Sequence, residues 1–311
     1  MLITILMLVL GFVLLMKGAD FFVEGSSSVA TRFHIPSMII GLTIVAMGTS
    51  LPECAVSITA SMSGNNALSI ANAVGSNIFN LMVVCGISAI FVPLAVSKDT
   101  LKKEFPFSIL CAILLMVLGF VGMSLSRIDG LIMTVIFIGY IVYMVISAKK
   151  AMNAYDEEDE GKVIPMYQSI LYIIGGAIAI KFGGDFVVDS ASNIALALGM
   201  SQNLIGLTIV ACGTSLPELV TSIVAAKKGE VDMALGNVIG SNIFNILFVL
   251  GMASLISPIA FIFENIIDIL VLVGFSIIVL YFGFTKQKID KKEGILMLIF
   301  YVIYLVYIIL R

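Results

Sequence analysis

Long apolar runs, separated by glycine, proline or charged residues, divide the chain into ten segments. They lie at about 2–30, 35–62, 67–92, 104–124, 128–148, 167–196, 201–226, 231–256, 264–284 and 292–310. A helix needs about 20 apolar residues to cross the hydrocarbon core, so 311 residues joined by short loops provide for roughly ten crossings. The pattern predicts an all-α integral membrane protein of ten transmembrane helices. The first run continues past Lys17 toward Gly25-Ser-Ser-Ser28, too long for the apolar part of a cleaved leader, and reads as the first helix.

The polar residues that interrupt these runs recur in order. Gly41-Leu-Thr-Ile-Val-Ala-Met-Gly-Thr-Ser-Leu-Pro-Glu53 returns as Gly206-Leu-Thr-Ile-Val-Ala-Cys-Gly-Thr-Ser-Leu-Pro-Glu218, differing only at Met47 and Cys212. Asn72-Ala-Val-Gly-Ser-Asn-Ile-Phe-Asn80 returns as Asn237-Val-Ile-Gly-Ser-Asn-Ile-Phe-Asn245. Both pairs are offset by 165 positions, Glu53 to Glu218 and Asn80 to Asn245, so the chain is a duplicated unit. The expected division is a five-helix repeat at 1–148, a cytoplasmic acidic linker at 149–166 and a second five-helix repeat at 167–311. An odd number of crossings per unit turns the second repeat upside down, the inverted plan of secondary transporters.

Charge gives the orientation. The odd-numbered loops between successive helices hold Arg32, Lys98, Lys102, Lys103, Lys149, Lys150, Lys162, Lys227, Lys228, Lys286, Lys288, Lys291 and Lys292, whereas the even-numbered loops hold only Arg127. Basic residues accumulate on the cytoplasmic side. The odd loops are therefore expected inside and both termini outside a cell membrane. Composition agrees, since 12% charged residues, against about 25% in soluble domains, cannot cover a globular surface. Cys54, Cys85, Cys111 and Cys212 lie in apolar runs without disulfide or metal spacing and read as helix-packing residues. His34, alone before Ile35-Pro36, reads as a loop residue. The run Asp156-Glu-Glu-Asp-Glu160 lacks the turn glycines and alternating ligands of a calcium loop and reads as a solvated connector.

The chemistry lies in the duplicated segments. Glu53 and Glu218 stand within apolar sequence, where a carboxylate is costly unless function retains it. Pro52 and Pro217 lack an N–H and are expected to free the carbonyls of Gly48 and Gly213 four residues earlier. Thr49 and Ser50, like Thr214 and Ser215, place hydroxyls about one turn before the glutamate, and Thr49 shares a helix face with Glu53. On the next helix Ser76 and Asn80 stand four apart, as do Ser241 and Asn245, and Gly75 and Gly240 are expected to permit close helix approach. These donors are all oxygen and carry about two negative charges. They suit one calcium ion or a pair of sodium ions rather than zinc or copper. Helix packing alone would account for the small residues but not for two glutamates without a basic neighbour in sequence. A second acidic pair, Asp20 and Asp185, sits near Lys17 and Lys181 and reads as an interhelical polar contact rather than an ion ligand.

The paired Gly-Thr-Ser-Leu-Pro-Glu segments (48–53 and 213–218) and Gly-Ser-Asn-Ile-Phe-Asn segments (75–80 and 240–245) resemble those of the cation/calcium antiporter superfamily. They are most similar to its prokaryotic sodium/calcium exchanger branch, and the matching length and layout extend the resemblance over the whole chain. It implies a secondary antiporter, not an enzyme, with no cofactor and with calcium and sodium as cargo. Glu53 and Glu218 would then be shared ligands of calcium and the central sodium ions. Thr49, Ser50, Thr214 and Ser215 would add hydroxyl or nearby carbonyl oxygens, and Ala46 and Ala211 backbone carbonyls. Ser76 and Ser241 would serve outer sodium sites, and Asn80 and Asn245 would line the centre. The resemblance also implies that the first and sixth helices slide across a fixed core.

Where some archaeal exchangers and potassium-dependent relatives carry an acid, this chain has Asn245, which argues against potassium co-transport. The short linker leaves no room for the regulatory calcium-binding domains of animal exchangers. Proton/calcium exchange on the same scaffold would need only the glutamates, whereas sodium also uses the hydroxyls, all of which this chain keeps. An intramembrane aspartyl protease built on Asp20 and Asp185 would leave both duplicated segments unexplained. The expected partners are the two ions and the lipid bilayer; no nucleic acid is expected.

Overall fold

A computed structural model of the chain describes residues 2–64, 66–153, 163–200 and 211–310. In lipid every backbone N–H and C=O must bond within the protein, and apolar sequence accordingly forms helices here. They are α1 (Leu2–Arg32), α2 (Ser37–Thr49), α3 (Leu51–Met62), α4 (Asn66–Phe91), α5 (Thr100–Met123) and α6 (Arg127–Met152), followed by α7 (Met166–Ala197), α8 (Ala211–Gly213), α9 (Leu216–Lys227), α10 (Val231–Ile256), α11 (Phe263–Lys286) and α12 (Lys291–Leu310). Among the described residues, eight helices are long and apolar enough to span a bilayer, and α2 with α3 makes a ninth if the bent pair is one span. The expected helix over 201–226 is described only from Ala211, and residues 201–210 and the acidic run 156–160 lie outside the described residues.

The helices sort into a centre and a periphery. In the most apolar stretch of α4 and of α10, 78% of residues are buried, against 22% in α1 and 28% in α7. Thus α4 and α10, which carry the Gly-Ser-Asn-Ile-Phe-Asn segments, form the core, whereas α1 and α7 present most of their side chains outward. Those two helices pack against each other in antiparallel order, Gly11 against Gly183, Gly18 against Gly176, and Gly25 against Ser169. A Cβ added at Gly176 would fall 2.7 Å from the Gly18 carbonyl oxygen, and one at Gly183 2.6 Å from the Leu15 nitrogen. Small residues at seven-residue spacing let the two backbones touch.

Short antiparallel bridges join the two halves at both ends. At one end β1 (Leu94–Ala95) pairs with β4 (Lys288–Ile289), in the register Leu94 to Ile289. At the other, β2 (Ser124–Leu125) pairs with β3 (Ile259–Ala260), Ser124 opposite Ala260. The 165-residue offset relates β1 to β3 and β2 to β4, so each bridge joins one strand from each half. Near the end of α1, the Arg32 guanidinium donates to the Ile164 carbonyl at 3.0 Å, and Ser37 to Glu230 at 2.8 Å. At the β2–β3 end, Asn66 donates to Ser257 Oγ at 2.9 Å and to the Pro258 carbonyl at 2.8 Å.

Candidate ion-binding site

The two Gly-Thr-Ser-Leu-Pro-Glu segments lie where helices break. α2 ends at Thr49 and α3 starts at Leu51 with a bend of 49°, and Ser50 between them takes φ −85° and ψ 11°. The expected continuous helix over 35–62 is therefore two helices. Pro52 falls in the first turn of α3, where an N–H has no helical acceptor in any case. The proline thus starts a new helix rather than disrupting the interior of an old one. Ser215 takes the same conformation, φ −93° and ψ 7°, and Pro217 opens α9 likewise. As a result Glu53 and Glu218 each occupy the first turn of a helix, whose positive dipole end favours a carboxylate.

Both carboxylates are fully buried, and each is held by the other half of the chain. Ser50 Oγ donates to Glu218 Oε1 at 2.7 Å, and Ser215 Oγ to Glu53 Oε1 at 3.2 Å. Ser76 Oγ lies 3.4 Å from the same Glu53 oxygen. Thr49 Oγ1 is 3.0 Å from Asn237 Oδ1 and 3.1 Å from the Val45 carbonyl, while Ser241 Oγ is 3.5 Å from the Ala46 carbonyl. Glu53, Glu218, Thr49, Ser50, Ser215, Ser76, Ser241, Asn80 and Asn245 are thus all buried within or beside one cluster. Ala211 starts α8.

Five buried oxygens here have no hydrogen-bond partner among the described residues: Glu53 Oε2, Glu218 Oε2, Thr214 Oγ1, Asn80 Oδ1 and Asn245 Oδ1. A buried polar atom without a partner costs about 1–3 kcal/mol. Carboxylate, hydroxyl and amide oxygens left open together form a donor set for a hard cation. The backbone contributes as well, because α4 and α10 widen into π-helical turns at Asn80–Val84 and Asn245–Leu250, beginning on the two asparagines. Such turns cluster at functional sites.

A supporting layer had not been singled out from sequence. Asn72 Nδ2 donates to the Glu53 carbonyl at 3.2 Å and to Ser57 Oγ at 3.0 Å, and Asn237 Nδ2 to the Glu218 carbonyl at 3.4 Å and to Ser222 Oγ at 3.0 Å. The signal was present, since Asn72 and Asn237 open the second duplicated segment and Ser57 and Ser222 share its offset of 165. The close approach expected of the glycines holds for Gly240, where a Cβ would fall 2.6 Å from the Leu42 carbonyl oxygen. Gly75 has no described atom within 4 Å of such a Cβ, and most of the segment equivalent to Leu42–Ala46 lies outside the described residues.

The second acidic pair departs from expectation. Asp185 pairs at 2.5 Å with Lys181 on its own helix, one turn away, rather than across helices. Asp20 sits 3.8 Å from Lys17 on α1 and does reach another element, with Lys228 Nζ 3.6 Å from its carboxylate and 2.8 Å from its carbonyl. Lys17 and Lys181 are exposed, not buried. Side chains on the outer surface of α1 and α7 have room to pair along one helix.

A helical membrane protein with two crossed, buried carboxylates and an open shell of oxygens fits a transporter of cations. The chain belongs to the sodium/calcium exchanger protein family, whose profile matches residues 3–146 and 168–310, and it is therefore a transporter rather than an enzyme. It is 32% identical over 342 residues to the sodium/calcium exchanger MaX1 of Methanosarcina acetivorans, covering 97% of each chain. It is 40% identical over 294 residues to the uncharacterized membrane protein MJ0091 of Methanocaldococcus jannaschii, covering 94% of each. Among solved structures it is similar to the sodium–calcium exchanger NCX_Mj soaked with sodium and strontium, with a TM-score of 0.86, 38% identity and 98% of each chain covered.

Proposed function

We propose that this protein exchanges sodium for calcium across the cell membrane by alternating access, binding the ions between its two halves at mid-membrane. The observation that carries the reading is the crossed pair of carboxylates, each tied to the opposite half through a serine and each with one oxygen that meets no partner among the described residues. Glu53 and Glu218 act as shared ligands. Thr49, Thr214, Ser50 and Ser215 supply hydroxyl or nearby carbonyl oxygens, Ala46 and Ala211 backbone carbonyls, Ser76 and Ser241 flanking sodium positions, and Asn80 and Asn245 the centre. Calcium and sodium are thus cargo.

The chain is read as ten crossings in two inverted repeats, 1–148 and 167–311, with the linker 149–166 in the cytoplasm and both termini outside. Antiparallel packing of α1 against its counterpart α7 supports inversion. The meeting of β1, in a lysine-bearing loop, with β4, in another, supports the orientation.

Coupling follows from charge. An empty site holds two buried negative charges and is costly to close and move past a hydrophobic barrier, whereas a cation-filled one is neutralised. Only loaded forms cross, which makes the protein an exchanger rather than a leak. Exchange of three sodium ions for one calcium would move one net charge, worth about 2.3 kcal/mol per 100 mV.

In proteoliposomes at clamped pH, an outward sodium gradient should drive calcium uptake, and Glu53→Gln and Glu218→Gln should each abolish it. Full transport by both variants sinks the assignment. Uptake that follows a pH gradient without sodium assigns the coupling to protons instead.

A further inference from the structure

The cation site needs more than asparagines in place; it needs them the right way round. A primary amide has nearly the same shape in either orientation, but one side is an oxygen and the other an NH2, and only the oxygen can face a cation. Something must therefore set the orientation of Asn80 and Asn245. We propose that Asn77 and Asn242 are the positioning residues that do so, a role resting on the cation-site reading above.

The argument starts from two backbone carbonyls, which can only accept. Asn77 Nδ2 donates to the Asn242 carbonyl at 3.0 Å, and Asn242 Nδ2 donates to the Asn77 carbonyl at 3.3 Å. This reciprocal pair, one residue from each half, fixes both amides, because a flipped one would set oxygen against oxygen. Their Oδ1 atoms are left to accept. Asn77 Oδ1 accepts from Asn245 Nδ2 at 3.1 Å, and Asn242 Oδ1 accepts from Asn80 Nδ2 at 3.3 Å.

Once their NH2 groups are spoken for, Asn245 and Asn80 have Oδ1 atoms that are buried and find no partner among the described residues. Polarity thus passes along each chain of groups, from a carbonyl in one half through an asparagine of the other and back to an oxygen at the site. Asn77, Asn80 and Asn245 are fully buried and Asn242 nearly so, so water does not compete for these bonds. The arrangement accounts for two asparagines in each Ser-Asn-Ile-Phe-Asn segment, one at the site and one behind it.

The proposal has a signature that a general packing role lacks. An aspartate at 245 offers oxygen on both sides, so its orientation no longer matters. Calcium binding is measured by isotope uptake on the purified full chain for the natural sequence, Asn77→Leu, Asn245→Asp and the double variant. Asn77→Leu should weaken calcium binding about tenfold when position 245 is asparagine, the scale of one lost buried hydrogen bond. In the Asn245→Asp background the same change should cost less than about twofold or strengthen binding, since carboxylate oxygens are equivalent and Asn77 Oδ1 there faces another acceptor.

An equal loss in both backgrounds, or no loss in either, overturns the proposal. A natural protein that binds no calcium overturns the cation-site reading and this role with it. If Asn77→Leu does not fold, Asn242→Leu with and without Asn80→Asp poses the same question from the other half.

Discussion

Ser50 and Glu218 come from opposite halves of the chain and share a 2.7 Å hydrogen bond, while their counterparts Ser215 and Glu53 sit 3.2 Å apart. The two-fold arrangement is therefore unequal, and the tighter side should matter more. A buried hydrogen bond to a charged group contributes about 1.5–3 kcal/mol, or roughly 10- to 150-fold in an equilibrium. Ser50→Ala is expected to raise the calcium concentration for half-maximal flux at least about tenfold, and Ser215→Ala by less. Calcium titrations of flux in proteoliposomes check the order.

The α1–α7 seam predicts a stability cost. A Cβ at Gly183 would meet the Leu15 nitrogen at 2.6 Å and the Gly11 oxygen at 2.8 Å, both backbone atoms that cannot swing aside. Gly183→Ala should destabilise by about 1–3 kcal/mol. At Gly139 or Gly274, where a Cβ meets no described atom within 4 Å, the same substitution should be neutral or stabilise by up to about 1 kcal/mol through helix propensity. The chain has no tryptophan, so melting is best followed with a thiol-reactive dye that reports exposure of buried Cys85 and Cys111.

Movement of α1 against the core requires its contacts there to break. Glu230, at the start of α10, accepts hydrogen bonds from Ser27 of α1 and from Ser37 of α2. Lys228 reaches Asp20 and Glu24 on the same face of α1. A bridge between cysteines at 27 and 230 should arrest exchange and release it on reduction. One between cysteines at 21 and 172, whose rings meet across the α1–α7 pair at 4.8 Å between centroids, should leave exchange at half or more of its rate if the pair moves as a unit. Flux before and after reductant distinguishes the two.

The turn before α12 gives a pH prediction. Lys286 beside it, helped by the N–H groups of Glu293 and Lys292, holds the Asp290 carboxyl down at about 2. In return the Asp290 N–H donates to Glu293 at 2.8 Å, which completes a capping box. A carboxyl depressed in the folded state stabilises above its unfolded pKa, about 3.9, and loses that contribution as pH falls through about 2. Amide protection at Lys292 and Glu293, corrected for intrinsic exchange, should stay level from pH 7 to about 4 and fall only below it. Asp290→Asn should lower protection across the range.

Much of this architecture was legible because lipid restricts the backbone to few solutions. Apart from the break within 35–62, apolar runs located the fully described helices to within a few residues, and the 165-residue offset paired Glu53 with Glu218. The helix break, however, falls at Ser50 and not at Pro52, because proline is at ease in a first turn. The π-helical turns leave no mark on composition. Asn77 lay in view within a duplicated segment, but its role depends on which carbonyl it faces across the interface, a fact of assembly that one strand of sequence does not hold. Asp185 meets Lys181 one turn away on its own helix, so the interhelical contact expected of it does not form.

The lengths of α1 and α7 have a consequence of their own. At 31 and 32 residues, with a rise of 1.5 Å each, they run to about 46–48 Å, well beyond the roughly 30 Å of hydrocarbon in a bilayer. Such rods lie aslant or reach past the hydrocarbon into the headgroup region, a balance that a thicker or thinner membrane would alter. Because they sit at the rim and not the centre, acyl-chain length is expected to set how far they can move against the core.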